Sequence, residues 1–405
     1  MKPSTPRART LFSIATASCV ALLSACGGGG GGDGRDNRPD TPPAIKPVVK
    51  AFGDSLMDSG SFGFKVTIQN SDKSRPFEIF PEKIASSLGA STPCPYFNFA
   101  LFSFASNPAC ANFAVGGGRI NIRGDANSVV DPANPTSILN QIAIGSSSLV
   151  PTDIVLVDGG ANDIADLTGV YLGATTPAGL TTFTNKLSTV LPASTVAALV
   201  TNMPTTATLN AAASVYAQAL AQQLTQSVTD KILARGVRKV VVVNAVDITR
   251  TPVFGATMNS VGALPGSAQR AAVQTAVQTW TDLFNTTLAR GLPSTTVLVV
   301  DLNAQFSRFL SQPAQYGLSN VTTPACPKVP GGIDNVGLAS LSQPPTVLAC
   351  NTSNMSANIP PGETSPNWWQ TYAFADNLHP TPALHGLIGT YILQQMVRVG
   401  WISPN

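Results

Sequence analysis

The chain has 405 residues, only 11% of them charged, and a formal net charge of +3. That balance offers no basic surface for nucleic acid, and the charged fraction is well below the usual quarter. There are two histidines, His379 and His385, so a His-based metal site has too few partners and any imidazole base must be one of these two.

In chain order, residues 1–25 read as a leader. Lys2, Arg7 and Arg9 precede an apolar stretch, Leu11 to Leu23, that is too short to span a membrane comfortably. It ends Leu23-Ser24-Ala25-Cys26, which resembles the lipobox of bacterial lipoproteins and implies lipidation at Cys26. An ordinary secretory signal with an accidental cysteine is the alternative. Gly27 to Gly32 and the polar, Pro-rich sequence after them make residues 26–46 a flexible tether. Removing the leader takes away its three cations and no acid, which leaves the mature chain formally neutral. The expectation is an extracytoplasmic protein, anchored to the outer membrane or cell surface through lipid on Cys26, or else secreted. Stable attachment would need more than one acyl chain.

Residues 47–405 are expected to form one domain. Pro47 to Phe52 is a short buried strand, followed by Gly53-Asp54-Ser55-Leu56-Met57-Asp58-Ser59-Gly60. A serine at the C-terminal end of a strand sits where open α/β sheets place their chemistry. Further strands follow at residues 153–157, 239–244 and 295–301. Helical periodicity predicts helices over 211–235, 267–290 and 382–397. β-branched runs buried on both faces and separated by helices imply a parallel sheet covered on both sides. Two stretches fit this alternation poorly. Residues 165–208 are expected to supply extra helices near the site, and residues 311–371 are either a functional insertion or a decorated surface.

Four cysteines, Cys94, Cys110, Cys326 and Cys350, remain after Cys19 in the leader and Cys26. They allow three pairings. Cys94–Cys110 and Cys326–Cys350 are favoured because each closes a short, Pro-containing loop. An exported protein meets an oxidising compartment, and each bridge would contribute about 3 kcal/mol in the chain-entropy account.

His379 follows Asp376 by three residues, just before the last helix, so Asp376 is placed to accept from the imidazole Nδ1. His385, within that helix on a small and apolar stretch, reads as structural. Four blocks in order then resemble the SGNH, or GDSL, hydrolases: Gly53-Asp54-Ser55-Leu56, Asn112 to Gly118, Gly160-Ala161-Asn162-Asp163, and Asp376-x-x-His379. A weaker fifth match runs from Asn244 to Pro252. The resemblance spans about Val48 to Val397. It implies a three-layer α/β/α sandwich with a mainly parallel, flavodoxin-like central sheet. It also implies a catalytic Ser55, His379 and Asp376, with oxyanion donors from the Ser55 N–H, the Gly117 N–H and the Asn162 side chain. Asp54 and Asp58 are read as holding the turn and Asp163 as orienting Asn162. Ser61 and Ala375 depart from the residues frequent at those places in the family.

The leading functional expectation is a serine esterase or lipase that cleaves carboxylic esters through an acyl-enzyme, without cofactor or metal, on an acyl-ester or lipid substrate. Phospholipase, lysophospholipase or acyltransferase chemistry would use the same residues. An inactive lipid-anchored binding protein is the reading from another class. Phe97, Phe99, Phe102 and Phe104 alternate in two pairs whose phase slips by one, so a regular strand would put the pairs on opposite faces. The oligomeric state is not readable.

Overall fold

Four runs of β-branched and apolar residues form the central sheet, because only extended chain buries both faces of such a run while pairing every backbone group. The computed structural model describes residues 47–101, 103–120, 134–200, 204–260, 267–333 and 349–403. The leader, the tether, Cys26 and Phe102 lie outside the described residues.

The strands are β1 (Val49–Phe52), β2 (Phe97–Ala100), β3 (Ser103–Ser106), β4 (Ile154–Val157), β5 (Lys239–Val243) and β6 (Val297–Val300). The large sheet is parallel in the order β1-β4-β5-β6, with Val49 opposite Ile154, Ile154 opposite Lys239 and Val240 opposite Val297. Residues 111–113 add to the free edge of β1: Phe113 N–H donates to Ala51 O at 2.7 Å, and Ala51 N–H to Ala111 O at 3.2 Å. The chain therefore returns on one side of β1 through this segment and on the other through β4. That divergence opens a crevice at the C-terminal end of β1, where ligands bind in open α/β sheets.

Alternation along the strands divides the core in two. Phe52, Val155, Val157, Val240 and Val242 pack against α2 (Ile138–Gly145), α3 (Ala161–Gly173), α6 (Thr206–Ser227) and α8 (Ser267–Gly291). Val49, Ala51, Ile154, Leu156, Val241 and Val243 pack on the other face against α1 (Phe80–Ser87), α9 (Leu302–Ser311) and α11 (Pro382–Arg398). The result is the three-layer α/β/α arrangement. The long helix expected over 211–235 begins at Thr206. It passes through a π-helical turn at Val228–Ile232 and a tight turn at Leu233–Arg235 before Gly236 ends it with φ +81°. No helix among the described residues is long and apolar enough to cross a membrane.

The described residues of both irregular stretches contribute to buried cores. Within 165–208, α4 (Pro177–Ser188) and α5 (Ala193–Leu199) bury Phe183, Leu187 and Val196 in the first core. Within 311–371, α10 (Thr352–Ala357) and several short turns build a satellite core from Cys326, Cys350, Met355, Trp368 and Trp369, joined by Ile68. Both favoured disulfides form, Cys94–Cys110 and Cys326–Cys350, with Cα atoms 4.9 and 5.2 Å apart. The phase slip among the phenylalanines has a different cause from the one a single strand implies. β2 and β3 form an antiparallel hairpin in which Phe99 pairs with Phe104, so the turn, not a change of face, shifts the register.

His385 lies fully buried on α11, its ring stacked on Phe80 of α1 at 6.2 Å, and neither ring nitrogen has a hydrogen-bond partner among the described residues. Burial, together with the charges of His379 and Lys65, pushes its pKa down to about 3. The unfolded chain accepts this proton near pH 6.5 and the folded one does not, so stability falls as the pH drops from about 6.5 toward 3. Replacing His385→Leu should remove that dependence. Urea unfolding should show the variant gaining about 3 kcal/mol on the wild type between pH 7.5 and pH 4; parallel pH profiles would contradict the assignment.

Candidate active site

The turn after β1 is held by groups from α2 and the end of β4 and by its own Asp54. Gly53 N–H donates to Gln141 Oε1 at 2.8 Å, and Gln141 Nε2 donates back to Gly53 O at 3.0 Å and to Pro135 O at 2.7 Å. Asp54 N–H donates to Asp158 Oδ1 at 3.0 Å, across from the end of β4. This contact explains the glycine: a Cβ at position 53 would lie 1.6 Å from Asp158 Oδ1. Leu56 N–H donates to Asp54 Oδ1, and the Met57 and Asp58 N–H groups converge on Asp54 O. Among the described residues, no acceptor takes the N–H of Ser55.

A second loop is bolted to this turn. Asp58 Oδ1 accepts from the Gly60 and Ser61 N–H groups, and Asp58 Oδ2 accepts from Ser61 Oγ and, at 2.8 Å, from Gly116 N–H. Asn112 Nδ2 donates to Met57 O at 2.7 Å. Gly117 adopts φ +75°, a conformation that side chains disfavour, and its N–H has no acceptor among the described residues. Arg119 Nη1 donates to Gly117 O while its other nitrogens grip Asp166 at 2.9 and 3.0 Å. Lys186 of α4 reaches the same carboxylate at 3.2 Å, which ties the 165–208 stretch to the glycine loop.

Asn162 opens α3 beside these two loops. Its Nδ2 donates to Gly118 O at 3.0 Å and to Asp54 Oδ2 at 3.2 Å, so both amide protons are engaged at rest. Asp163 does not orient it, contrary to the sequence expectation. Its Oδ2 instead accepts from Ile120 N–H at 2.9 Å, because successive helix residues point in different directions. The orienting carboxylate is Asp54.

The last two residues arrive from the other end of the chain. Phe374 and Pro380 form an antiparallel bridge, and Ala375 N–H donates to His379 O at 2.8 Å, which closes residues 375–379 into a tight loop. Asp376 Oδ1 accepts from the Leu378 and His379 N–H groups at 2.8 and 2.6 Å. The His379 ring then lies with Nδ1 2.8 Å from Asp376 Oδ2 and Nε2 2.8 Å from Ser55 Oγ. Cys326 N–H donates to Ala375 O at 2.7 Å, so the disulfide-bonded insertion braces this loop. Val253, the residue just after the Asn244–Pro252 segment, supports it too, its N–H donating to Asn377 O at 2.7 Å.

Residues 49–392, from β1 into α11, match the sequence profile of the family described as GDSL-like Lipase/Acylhydrolase. The chain belongs to that family. No curated protein sequence matches it significantly. Membership establishes an acylhydrolase in general terms and accounts for the shared α/β fold.

The electrostatics of this GDSL acylhydrolase site separate one carboxylate from the others. Burial raises Asp54, Asp58 and Asp158 above the ordinary carboxylate range, Asp158 most strongly, because Asp54 adds like charge to its burial. Burial likewise raises Asp163, to about 6, against the attraction of Lys186. Asp376 is just as buried, yet the His379 charge and the donated N–H groups outweigh desolvation and hold it below its usual range. A persistent anion is therefore placed behind the imidazole. No group of three or more His, Cys, Asp or Glu side chains among the described residues is arranged to hold a metal ion.

Ser55, His379 and Asp376 are joined in one line, and Asn162 and the Gly116–Gly118 loop are hydrogen-bonded to the Ser55 turn, whereas Cys26 lies outside the described residues. Gln141, Arg119 and Asp158 were not legible as site residues. Gln141 and Asp158 act on backbone groups distant in sequence, and Arg119 links Gly117 O to the distant Asp166; no local pattern signals such contacts.

Proposed function

We propose that the enzyme is a carboxylic ester hydrolase working through an acyl-enzyme on Ser55. The observation that carries this reading is the continuous line from Asp376 Oδ2 through the His379 ring to Ser55 Oγ, 2.8 Å at each link. A serine hydroxyl is a weak nucleophile until a base takes its proton, and His379 Nε2 is within reach of it. Asp376 accepts from Nδ1–H, fixes the tautomer that leaves Nε2 basic, and stabilises the imidazolium as it forms.

In the forward step Ser55 Oγ attacks the acyl carbon while its proton passes to His379 Nε2. The carbonyl oxygen gains charge, and the Ser55 and Gly117 N–H groups are donors with no competing acceptor among the described residues. Asn162 supplies a third when the oxyanion displaces Asp54 Oδ2 from its amide. Such donors each contribute on the order of 10²–10³ in turnover. Collapse of the adduct breaks the ester bond, and His379 passes its proton to the departing alcohol. Water then attacks the acyl-enzyme as His379 takes its proton; the bond between Ser55 Oγ and the acyl carbon breaks, His379 returns the proton to Ser55 Oγ, and the acid is released.

Ser55→Ala is expected to abolish hydrolysis of p-nitrophenyl acyl esters, and labelling by a fluorophosphonate, without altering the circular dichroism. Undiminished turnover by the folded variant would overturn the assignment.

Two disulfides suit an oxidising compartment. We extend the proposal to the ends of the chain: a leader over 1–25, lipid on Cys26, and a tether over 26–46 that holds the hydrolase at a membrane. Cell fractionation tests this. Cys26→Ser should move the protein from the membrane to the soluble fraction, and a wild type already wholly soluble would contradict the anchor.

A further inference from the structure

The β2–β3 hairpin carries no charged residue, and neither does any position between Lys83 and Arg119. Its inner face is aromatic. Phe99 and Phe104 lie with ring centroids 5.0 Å apart, and both contact Phe62, at 5.3 and 5.6 Å. The tip presents the opposite situation. Leu101 is 94% exposed, whereas no other large apolar side chain among the described residues exceeds 48%.

Leu101 is also the one non-glycine residue among the described ones with positive φ, at +50°. That backbone region disfavours a bulky side chain and is taken readily by glycine or asparagine. Folding therefore gains nothing from leucine here: the backbone is strained and the side chain is left in water. A strained, exposed apolar residue is better explained by what it meets than by what it packs against.

The hairpin is firmly attached to the loops that flank Ser55. The Cys94–Cys110 bridge closes its base, and Phe99 N–H donates to Ser61 O at 2.7 Å. Phe62, beneath its aromatic face, lies 3.3 Å from where a Cβ on Gly116 would be, next to Gly117. A surface held by the tip is thus held against the framework of the serine and glycine loops. The absence of charge matches a neutral acyl phase; an anionic lipid surface would call for lysine and arginine around the tip.

We propose that this hairpin docks the enzyme on the surface of an aggregated acyl-ester substrate, with Leu101 inserted among the acyl chains. The proposal rests on the ester-hydrolase reading above. Leu101→Asn is the informative variant, because asparagine suits the positive φ and removes the apolar tip without burdening the fold. Its thermal midpoint should equal or exceed that of the wild type. On soluble p-nitrophenyl acetate its kcat/KM should stay within about twofold of wild type, and on emulsified tributyrin its rate should fall about tenfold or more. Unchanged rates on both substrates, or equal losses on both, would overturn the proposal. Flotation with phosphatidylcholine liposomes reads docking without turnover, using Cys26→Ser forms of both proteins so that no lipid anchor contributes. The bound fraction should drop with Leu101→Asn, and equal flotation of the two would count against the hairpin. If neither form cleaves the soluble ester, the hydrolase reading fails while the flotation result still decides the docking.

Discussion

The hydrogen bond between Ser55 Oγ and His379 Nε2 joins residues 324 positions apart, and most of the irregular structure exists to hold its two ends still. An imidazole can face a serine productively only if its other nitrogen is fixed, since rotation or the wrong tautomer leaves Nε2 unable to accept. The loop from Ala375 to His379 meets that requirement by folding back on itself. Asp376 accepts from two backbone N–H groups and the ring together, so the carboxylate and the imidazole are positioned by the same few bonds. The insertion that carries Cys326 then buttresses the loop from outside.

On the opposite side of that bond the constraint falls on backbone donors. Among the described residues no acceptor takes the N–H groups of Ser55 and Gly117, while the backbone around them is satisfied by side chains of other elements and of the turn itself. Gln141, Asp54, Asp58, Asp158 and Arg119 all accept from or donate to the main chain of the two loops. Asp54, Asp58 and Asp158 are buried, and burial raises their pKa above the ordinary carboxylate range.

The strands were legible because residues buried on both faces leave a continuous β-branched run, and the serine turn was legible because such a run ends in it. The disulfides followed from loop length. What escaped was long-range or short. Helices α1 and α2 span eight residues each, too few for a firm period. The role given to Asp163 went to Asp54, because adjacency in sequence on a helix separates side chains instead of bringing them together. The phenylalanine pattern between Cys94 and Cys110 had the right period but concealed a turn, and only pairing across the hairpin places Phe99 beside Phe104. Gln141 and Arg119 carry no motif at all; Gln141 pairs with carbonyl and amide groups, which every residue possesses, and Arg119 with a carbonyl and the distant Asp166.

The account stands on Ser55 becoming covalently acylated through the base behind it. A carbamate ester such as p-nitrophenyl dimethylcarbamate tests this most directly, because its carbamoyl-enzyme is slow to hydrolyse and can be isolated. The account predicts a burst of about one p-nitrophenol per chain, with one carbamoyl group found by mass spectrometry on the peptide that contains Ser55. Release of p-nitrophenol with Ser55 unmodified, or with the carbamoyl group on another residue, would contradict it.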